Sequence, residues 1–174
     1  MKVLFLDVDG VLNSERSFLA RAGKLKGMEK LEDDFFVRMT KTTIDPIAVE
    51  LINRICDELD VKLVISSSHR GHFPDDEQKL TNMRHYFDAL GIHGSKHIIG
   101  WTARLWGDRG TEIAAWVNDH PEITHYAIVD DSSDMLESQL PFFIHVDGSK
   151  GFSAENYRDT CMLFGRHDFE HVFL

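Results

Sequence analysis

The sequence has little cysteine, no long hydrophobic run and a deficit of positive charge. Two cysteines in 174 residues cannot build a disulfide framework. Cys56 and Cys161 fall inside apolar helical patterns and read as buried free thiols. Purely apolar runs, such as Val3–Leu6 and Phe142–Ile144, are far short of a membrane-spanning helix. The N-terminus MKVLFLDVDG turns acidic too early for a signal peptide and reads as a first strand, so a reducing cytoplasm is the expected setting. No repeat, low-complexity tract or Pro/Ser-rich linker divides the chain, and its length suits one domain over 1–174. Nineteen Lys and Arg stand against 29 Asp and Glu, for a net charge of −10. Stable non-specific coating of duplex nucleic acid is therefore excluded, because it rests on phosphate neutralisation. A local basic groove, or a metal that supplies positive charge, is not.

What is present is an alternation. Apolar runs of strand length recur at Val3–Leu6, Val61–Ile65, Tyr126–Val129 and Phe142–Val146. Near-continuous apolar strands are buried on both faces, as in parallel sheets. Helical patterns lie between them. Asp45-Pro46 caps one with an apolar stripe of Ile47, Leu51, Ile52, Ile55, Cys56 and Leu59. Others are expected over Asp75–Leu90, closed by Gly91, over Arg109–Asn118, and from Ser153 to about Gly165. The pattern predicts an α/β fold, a three-layer Rossmann-like sandwich around a mainly parallel sheet. Ligands of such sheets bind beyond the carboxyl ends of the strands. There the sequence places Asp7, Ser66 and Asp130. Residues 14–44 break the alternation and carry a basic run from Arg16 to Lys30. They read as a small flap over the strand ends.

Asp7-Val8-Asp9-Gly10-Val11-Leu12-Asn13 is the sharpest motif. Two carboxylates at the end of a buried strand are costly without compensation. A bound hard cation such as Mg²⁺ compensates them and retains waters for a phosphate. Gly10 allows a sharp turn and close backbone approach to a ligand. An ordinary acidic turn is the plainer reading of the dipeptide alone.

The motif resembles the first motif of the haloacid dehalogenase-like (HAD) superfamily, mostly Mg²⁺-dependent phosphatases that work through a phospho-aspartate. The resemblance implies that Asp7 is the nucleophile and a metal ligand. It implies that Asp9 is general acid and then base, with its carbonyl on the metal. Gly10 and Asn13 fall on the substrate side of the motif. Ser66, closing a hydrophobic strand, matches the second motif, with the Ser67 amide helping to hold the phosphoryl group. Arg109, twenty-one residues before Asp130, matches the third, where most members carry Lys. Asp130-Asp131 matches the fourth, metal-holding motif, Asp130 being favoured as the direct ligand and Asp134 being a weaker candidate. More narrowly, DVDGVLN, SSS-x-R, RG-x-EI-x-x-W and VDDSSDM are similar to the small HAD domains of RNA-repair proteins. Arg70 belongs to that narrower pattern and either meets substrate or serves as a capping or salt-bridged arginine.

The resemblance implies a Mg²⁺-dependent phosphomonoester hydrolase acting on a nucleotide or on a nucleic-acid terminal phosphate. A phosphatase of small phosphorylated metabolites and a non-catalytic phospho-ligand module are the alternatives. Of the ten histidines, His69 and His72 lie beside the serine run, where His69 could touch substrate, His93 and His97 straddle a turn, and none has a spacing with Cys or Glu typical of a zinc site. Trp101 and Trp106, flanking Arg104 in a loop-like stretch, could stack a base; core or rim packing is the plainer role.

Overall fold

The computed structural model describes residues 1–25, 40–105 and 107–169. In chain order the elements are β1 (Lys2–Leu6), α1 (Glu15–Leu25), α2 (Pro46–Leu59), β2 (Val61–Ile65), α3 (Lys79–Ala89) and α4 (Gly94–His97). Then follow β3 (Ile98–Trp101), α5 (Arg109–Asp119), β4 (His125–Asp130), β5 (Phe143–His145) and α6 (Ala154–Leu163). The five strands form one sheet in the order β3-β2-β1-β4-β5, and every pairing is parallel.

Strand alternation divides the core in two. Leu4, Leu6, Leu63, Ile65, Ala127 and Val129 face the helices α2, α3 and α6, where Ile52, Ile55, Met83, Phe87 and Cys161 complete the packing. Val3, Phe5, Val64 and Ile128 face the other way, onto Ile113, Trp116 and Val117 of α5. Phe5 meets Trp116 edge-on at 5.6 Å between ring centroids. Helices therefore cover both faces, as the apolar strands require. Cys56 and Cys161 are buried free thiols.

Helix ends follow the local chemistry. Asp45 caps α2 by accepting from Ile47 N at 2.9 Å, and Pro46 occupies the first turn. The expected stripe packs onto the core at Leu51, Ile52, Ile55, Cys56 and Leu59 and departs from it at Ile47. Ile47 is 66% exposed, and Ala48, Val49, Ile52, Asn53, Ile55 and Cys56 point inward. The third helix begins at Lys79, not Asp75, because Asp76 accepts from Gln78 N and holds residues 75–78 in a turn. Ser153 and Asn156 form a reciprocal cap on α6. The edge strand β3 was not foreseen. Its four residues, with Gly100 against Trp116, give too short an apolar signal to distinguish from loop. Trp101 ends this strand rather than lying in a loop, and the Lys79 ammonium sits 4.8 Å above its ring. Trp106 lies outside the described residues.

The insertion after β1 is anchored at both described ends. Glu15 N and Arg16 N donate to Gly148 O and Ser149 O, each at 3.1 Å. Residues 40–43 are helical, and Asp45 N donates to Leu12 O at 2.8 Å. Arg16 pairs with Asp45 at 2.7 Å. Lys26 and Lys30 of the basic run lie outside the described residues. No helix among the described residues is long and apolar enough to cross a membrane.

Candidate active site

Register builds the site. Leu6 of β1 stands opposite Ile65 of β2 and Val129 of β4. The next residues, Asp7, Ser66 and Asp130, therefore stand in one row. The ladder carries on into that row, with Ser66 N donating to Leu6 O and Asp7 N to Val129 O, both at 3.1 Å. From β1 the chain builds outward to β3 on one side, then returns to place β4 and β5 on the other. The row thus lies at the topological switch of the sheet, where α/β folds open a crevice. By alternation its members continue the Val3–Phe5 face, which is the α5 face, and Arg109 is the first residue of α5.

Arg109 joins the row. Its Nη1 lies 3.5 Å from Asp7 Oδ1 and 3.5 Å from Asp130 Oδ2. The guanidinium is itself positioned by the fourth motif. Arg109 N donates to Asp134 Oδ2 at 3.0 Å, Gly110 N donates to Asp134 O at 3.2 Å, and Ser132 Oγ donates to Asp134 Oδ1 at 2.8 Å. Asp134, the weaker metal candidate, here holds the start of α5.

Asp7, Asp130 and Asp131 offer three carboxylate oxygens within 4.8 Å of one another. Burial and the charge of Asp7 push the Asp130 carboxyl up to about 7, against the pull of Arg109. The same two causes, burial first, raise Asp131. One guanidinium does not neutralise three carboxylates. Asp130 Oδ2, fully buried, accepts no hydrogen bond, and neither does the buried Ser66 Oγ have a partner among the described residues. A buried hydroxyl left so costs about 1–3 kcal/mol unless a ligand completes it. Two glycines leave room for Asp131. A Cβ on Gly10, whose φ is +73°, would stand 2.1 Å from Asp131 Oδ2, and one on Gly148 would stand 2.7 Å from it. The oxygen-only donor set, the excess negative charge and the hydrogen-bond-free oxygen all fit a hard divalent cation such as Mg²⁺.

The carboxylate of Asp9 stands apart from this cluster. Asn13 Nδ2 donates to Asp9 Oδ1 at 2.9 Å, and Asn13 Oδ1 accepts from Gly10 N at 3.0 Å. His69 Nε2 lies 3.1 Å from Asp9 Oδ2. Its Nδ1 lies 3.1 Å from Tyr86 Oη, and Tyr86 shares a further hydrogen bond with Thr40. The His69 bond holds the Asp9 carboxyl below its ordinary range despite partial burial, with Asn13 assisting. Gly10 and Asn13, expected on the substrate side, thus bind within the motif loop and fix Asp9. His69, expected to touch substrate, is a buried partner of Asp9. A histidine three residues after the second-motif serine carries no spacing signal for that contact.

The serine run is braced from behind. Arg70 Nη1 donates to Ser66 O at 2.7 Å and to Ser67 O at 2.6 Å, and Nη2 pairs with Glu112 of α5. Arg70 is buried, and burial lowers its pKa against the support of Glu112. Arg70 is thus salt-bridged to Glu112, and it also lines the cavity that Arg109 borders. A trans peptide holds C=O and N–H antiparallel, so the Ser67 N–H faces away from Arg70. The hydroxyl of Ser67 accepts from His69 N at 3.3 Å and caps the turn over Ser68–His72. Beside Arg109 a cavity of about 250 Å³ opens, lined in part by Ser68, Arg104, Gly107 and Asp134.

A parallel sheet carrying an aspartate motif, a serine, a cation and paired aspartates at one row of strand ends defines the Rossmann-like fold of HAD-type phosphatases. The sequence matches the family described as the HAD domain in Swiss Army Knife RNA repair proteins over residues 3–157, and the chain belongs to that family. No curated protein sequence and no solved structure matches it.

Proposed function

We propose that this chain is a Mg²⁺-dependent phosphomonoester hydrolase that acts through a phospho-aspartate on a nucleotide or nucleic-acid terminal phosphate. The observation that carries the reading is the row of Asp7, Ser66 and Asp130 beneath Arg109, where, among the described residues, the buried Ser66 hydroxyl has no hydrogen-bond partner and the buried Asp130 Oδ2 is met only by the Arg109 charge at 3.5 Å. A carboxylate oxygen of Asp7 attacks phosphorus, and the bond from phosphorus to the leaving oxygen breaks. Asp9 gives that oxygen its proton. Water then attacks the phospho-aspartate, Asp9 takes the water's proton, and phosphate leaves with Asp7 restored. The Ser66 hydroxyl, the Ser67 amide and Arg109 donate to the phosphoryl oxygens as charge builds there. Asp7, Asp130, Asp131 and the Asp9 carbonyl would hold Mg²⁺, which when bound offsets the charge of nucleophile and phosphate. The hydrogen bonds of His69 and Asn13 keep Asp9 ionised, the state from which the base half starts. An arriving phosphate, being anionic, raises its pKa for the acid half.

The family's occurrence in RNA-repair proteins supports a nucleic-acid end as substrate. The short insertion after β1 supports it too, because 14–44 is too small to enclose the site as a separate cap domain. The test is phosphate release, with Mg²⁺ or with EDTA, from p-nitrophenyl phosphate, 3′- and 5′-mononucleotides and 3′- and 5′-phosphorylated oligonucleotides. Release that needs Mg²⁺ and is fastest on a phosphorylated oligonucleotide is expected. Faster turnover of mononucleotides would turn the reading to small metabolites. No release from any member, with folded protein, would overturn it.

A further inference from the structure

At the opposite end of the sheet lies a second polar cluster that the proposed reaction does not use. Asp57 sits in the last turn of α2, just before β2 starts. His93 stands at the start of α4, and His97 ends it immediately before β3. All strands are parallel, so this end is the one away from the row of Asp7, Ser66 and Asp130. Asp57 Oδ2 lies 3.0 Å from His93 Nδ1, and Asp57 Oδ1 lies 2.7 Å from His97 Nε2. The two imidazoles, four residues apart, stack with centroids 6.5 Å apart and planes 26° apart. One nitrogen from each ring and one carboxylate oxygen lie within 4.8 Å of one another.

We propose that Asp57, His93 and His97 form a binding site for a borderline divalent cation of the Zn²⁺ class, with solvent as the fourth ligand. Tetrahedral donors with bonds of about 2.0–2.1 Å stand roughly 3.3 Å apart. The two imidazoles reach different oxygens of Asp57, at 3.0 and 2.7 Å, so a small outward movement of the half-exposed His93 ring with a turn of the carboxylate admits the ion. His97 is buried, with side-chain exposure of 3%, so its orientation is already fixed. Two nitrogen donors of three favour Zn²⁺ over Mg²⁺, which prefers an all-oxygen shell. Asp57 already attracts a cation, since Lys96 Nζ shares Oδ1 with His97. That ammonium is 64% exposed, so it returns to water at little cost. A bound ion would fasten the end of α2 to α4 and the start of β3. The proposal is independent of the phosphatase reading.

The experiment uses the full chain, stripped of metal and then saturated with Mg²⁺ to fill the carboxylate site. Zn²⁺ alone is the probe, titrated against a chromophoric chelator, with thermal melts in parallel. One equivalent of Zn²⁺ is expected to bind and to raise Tm. The half-exposed His93 tolerates truncation, and His93→Ala should lower the affinity at least about tenfold and remove the Tm rise. Lys96→Met should raise the affinity, because it removes the competing cation. Asp57→Asn should abolish uptake. Zn²⁺ uptake that is absent from the parent chain, equal in His93→Ala, or unaltered by Lys96→Met would overturn the proposal.

Discussion

The two ends of the sheet carry three-residue clusters that differ in every respect but number. At the carboxyl ends of the strands Asp7, Asp130 and Asp131 present oxygen only, and two of the three are buried. The cation among them, Arg109, approaches at 3.5 Å and leaves negative charge in excess. At the other end one carboxylate, Asp57, faces two imidazoles and an ammonium. There hydrogen-bonding partners outnumber the acid, and both the acid and His93 reach solvent. The two carboxylates are therefore shifted in opposite directions. Asp130 is pushed up by desolvation and by Asp7, whereas Asp57 is held well below the ordinary range by Lys96 and the two histidines. The first end is an incomplete electrostatic arrangement that needs a ligand. The second is satisfied without one and exchanges one cation for another.

The strongest break in that contrast is Asp7→Asn. An amide is close to isosteric, removes the nucleophile and relieves part of the like-charge repulsion on Asp130 and Asp131. Phosphatase turnover should fall on the order of 10³-fold or more, while Tm of the metal-free protein stays equal or rises. Turnover close to that of the parent would sink the phospho-aspartate mechanism. Zn²⁺ uptake at Asp57, by contrast, should be untouched.

Next in size is Gly10→Ala. The φ of +73° costs a side-chain-bearing residue about 1–2 kcal/mol, and the added Cβ would stand 2.1 Å from Asp131 Oδ2. Mg²⁺ affinity should drop roughly 10–100-fold, read as the Mg²⁺ concentration for half-maximal turnover. Gly165→Ala separates the two causes. Its φ is +89°, but nothing lies within 4 Å of the added atom. It should lose comparable stability and keep its Mg²⁺ dependence. An equal shift in both variants would show that backbone strain, rather than Asp131, sets the effect.

The row at the strand ends was legible because two simple periodicities produce it. Apolar runs ending in Asp7, Ser66 and Asp130 fix the residues, and parallel register aligns them. Only the family resemblance brought in Arg109. What escaped were contacts between elements distant in sequence. Gly148 makes room for Asp131 only because β5 pairs with β4. Glu112 neutralises Arg70 across 42 residues, and Tyr86 reaches His69 from α3 across 17. Sequence spacing constrains neighbours on one helix or strand, and it is silent about which side chains two packed elements bring together. Arg70 shows the limit well. The motif left open whether Arg70 meets substrate or a protein partner, and only packing shows its bonds to two carbonyls and a buried carboxylate.

A smaller effect tests how Asp9 is held. His69→Ala removes the contact to Asp9 Oδ2 but leaves Asn13 on Oδ1. A mispositioned acid matters most when the leaving oxygen needs its proton. Turnover of an alkyl or nucleoside phosphate should therefore fall about tenfold or more, and p-nitrophenyl phosphate less. His69→Gln, which restores a donor to Asp9, should recover part of the loss. Equal losses on both substrates would assign His69 to packing with Tyr86 alone.

The smallest expected effect is the pH dependence of stability, and it distinguishes the two ends by sign. Asp130 has a raised carboxyl, so between ~4 and about 7 the folded metal-free protein binds more protons there than the unfolded chain. Its stability must fall as pH rises through that window. Asp57 has a lowered carboxyl, so below ~4 the unfolded chain binds the extra proton, and stability must fall as pH drops. Thermal melts of metal-free protein should show both limbs. Asp130→Asn should flatten the upper limb and Asp57→Asn the acid limb. Mg²⁺ should remove the upper slope alone, because an ion among the carboxylates stabilises the ionised form that burial disfavours. An upper limb unaffected by both Asp130→Asn and Mg²⁺ would mean that the charge strain lies elsewhere than in the row of strand ends.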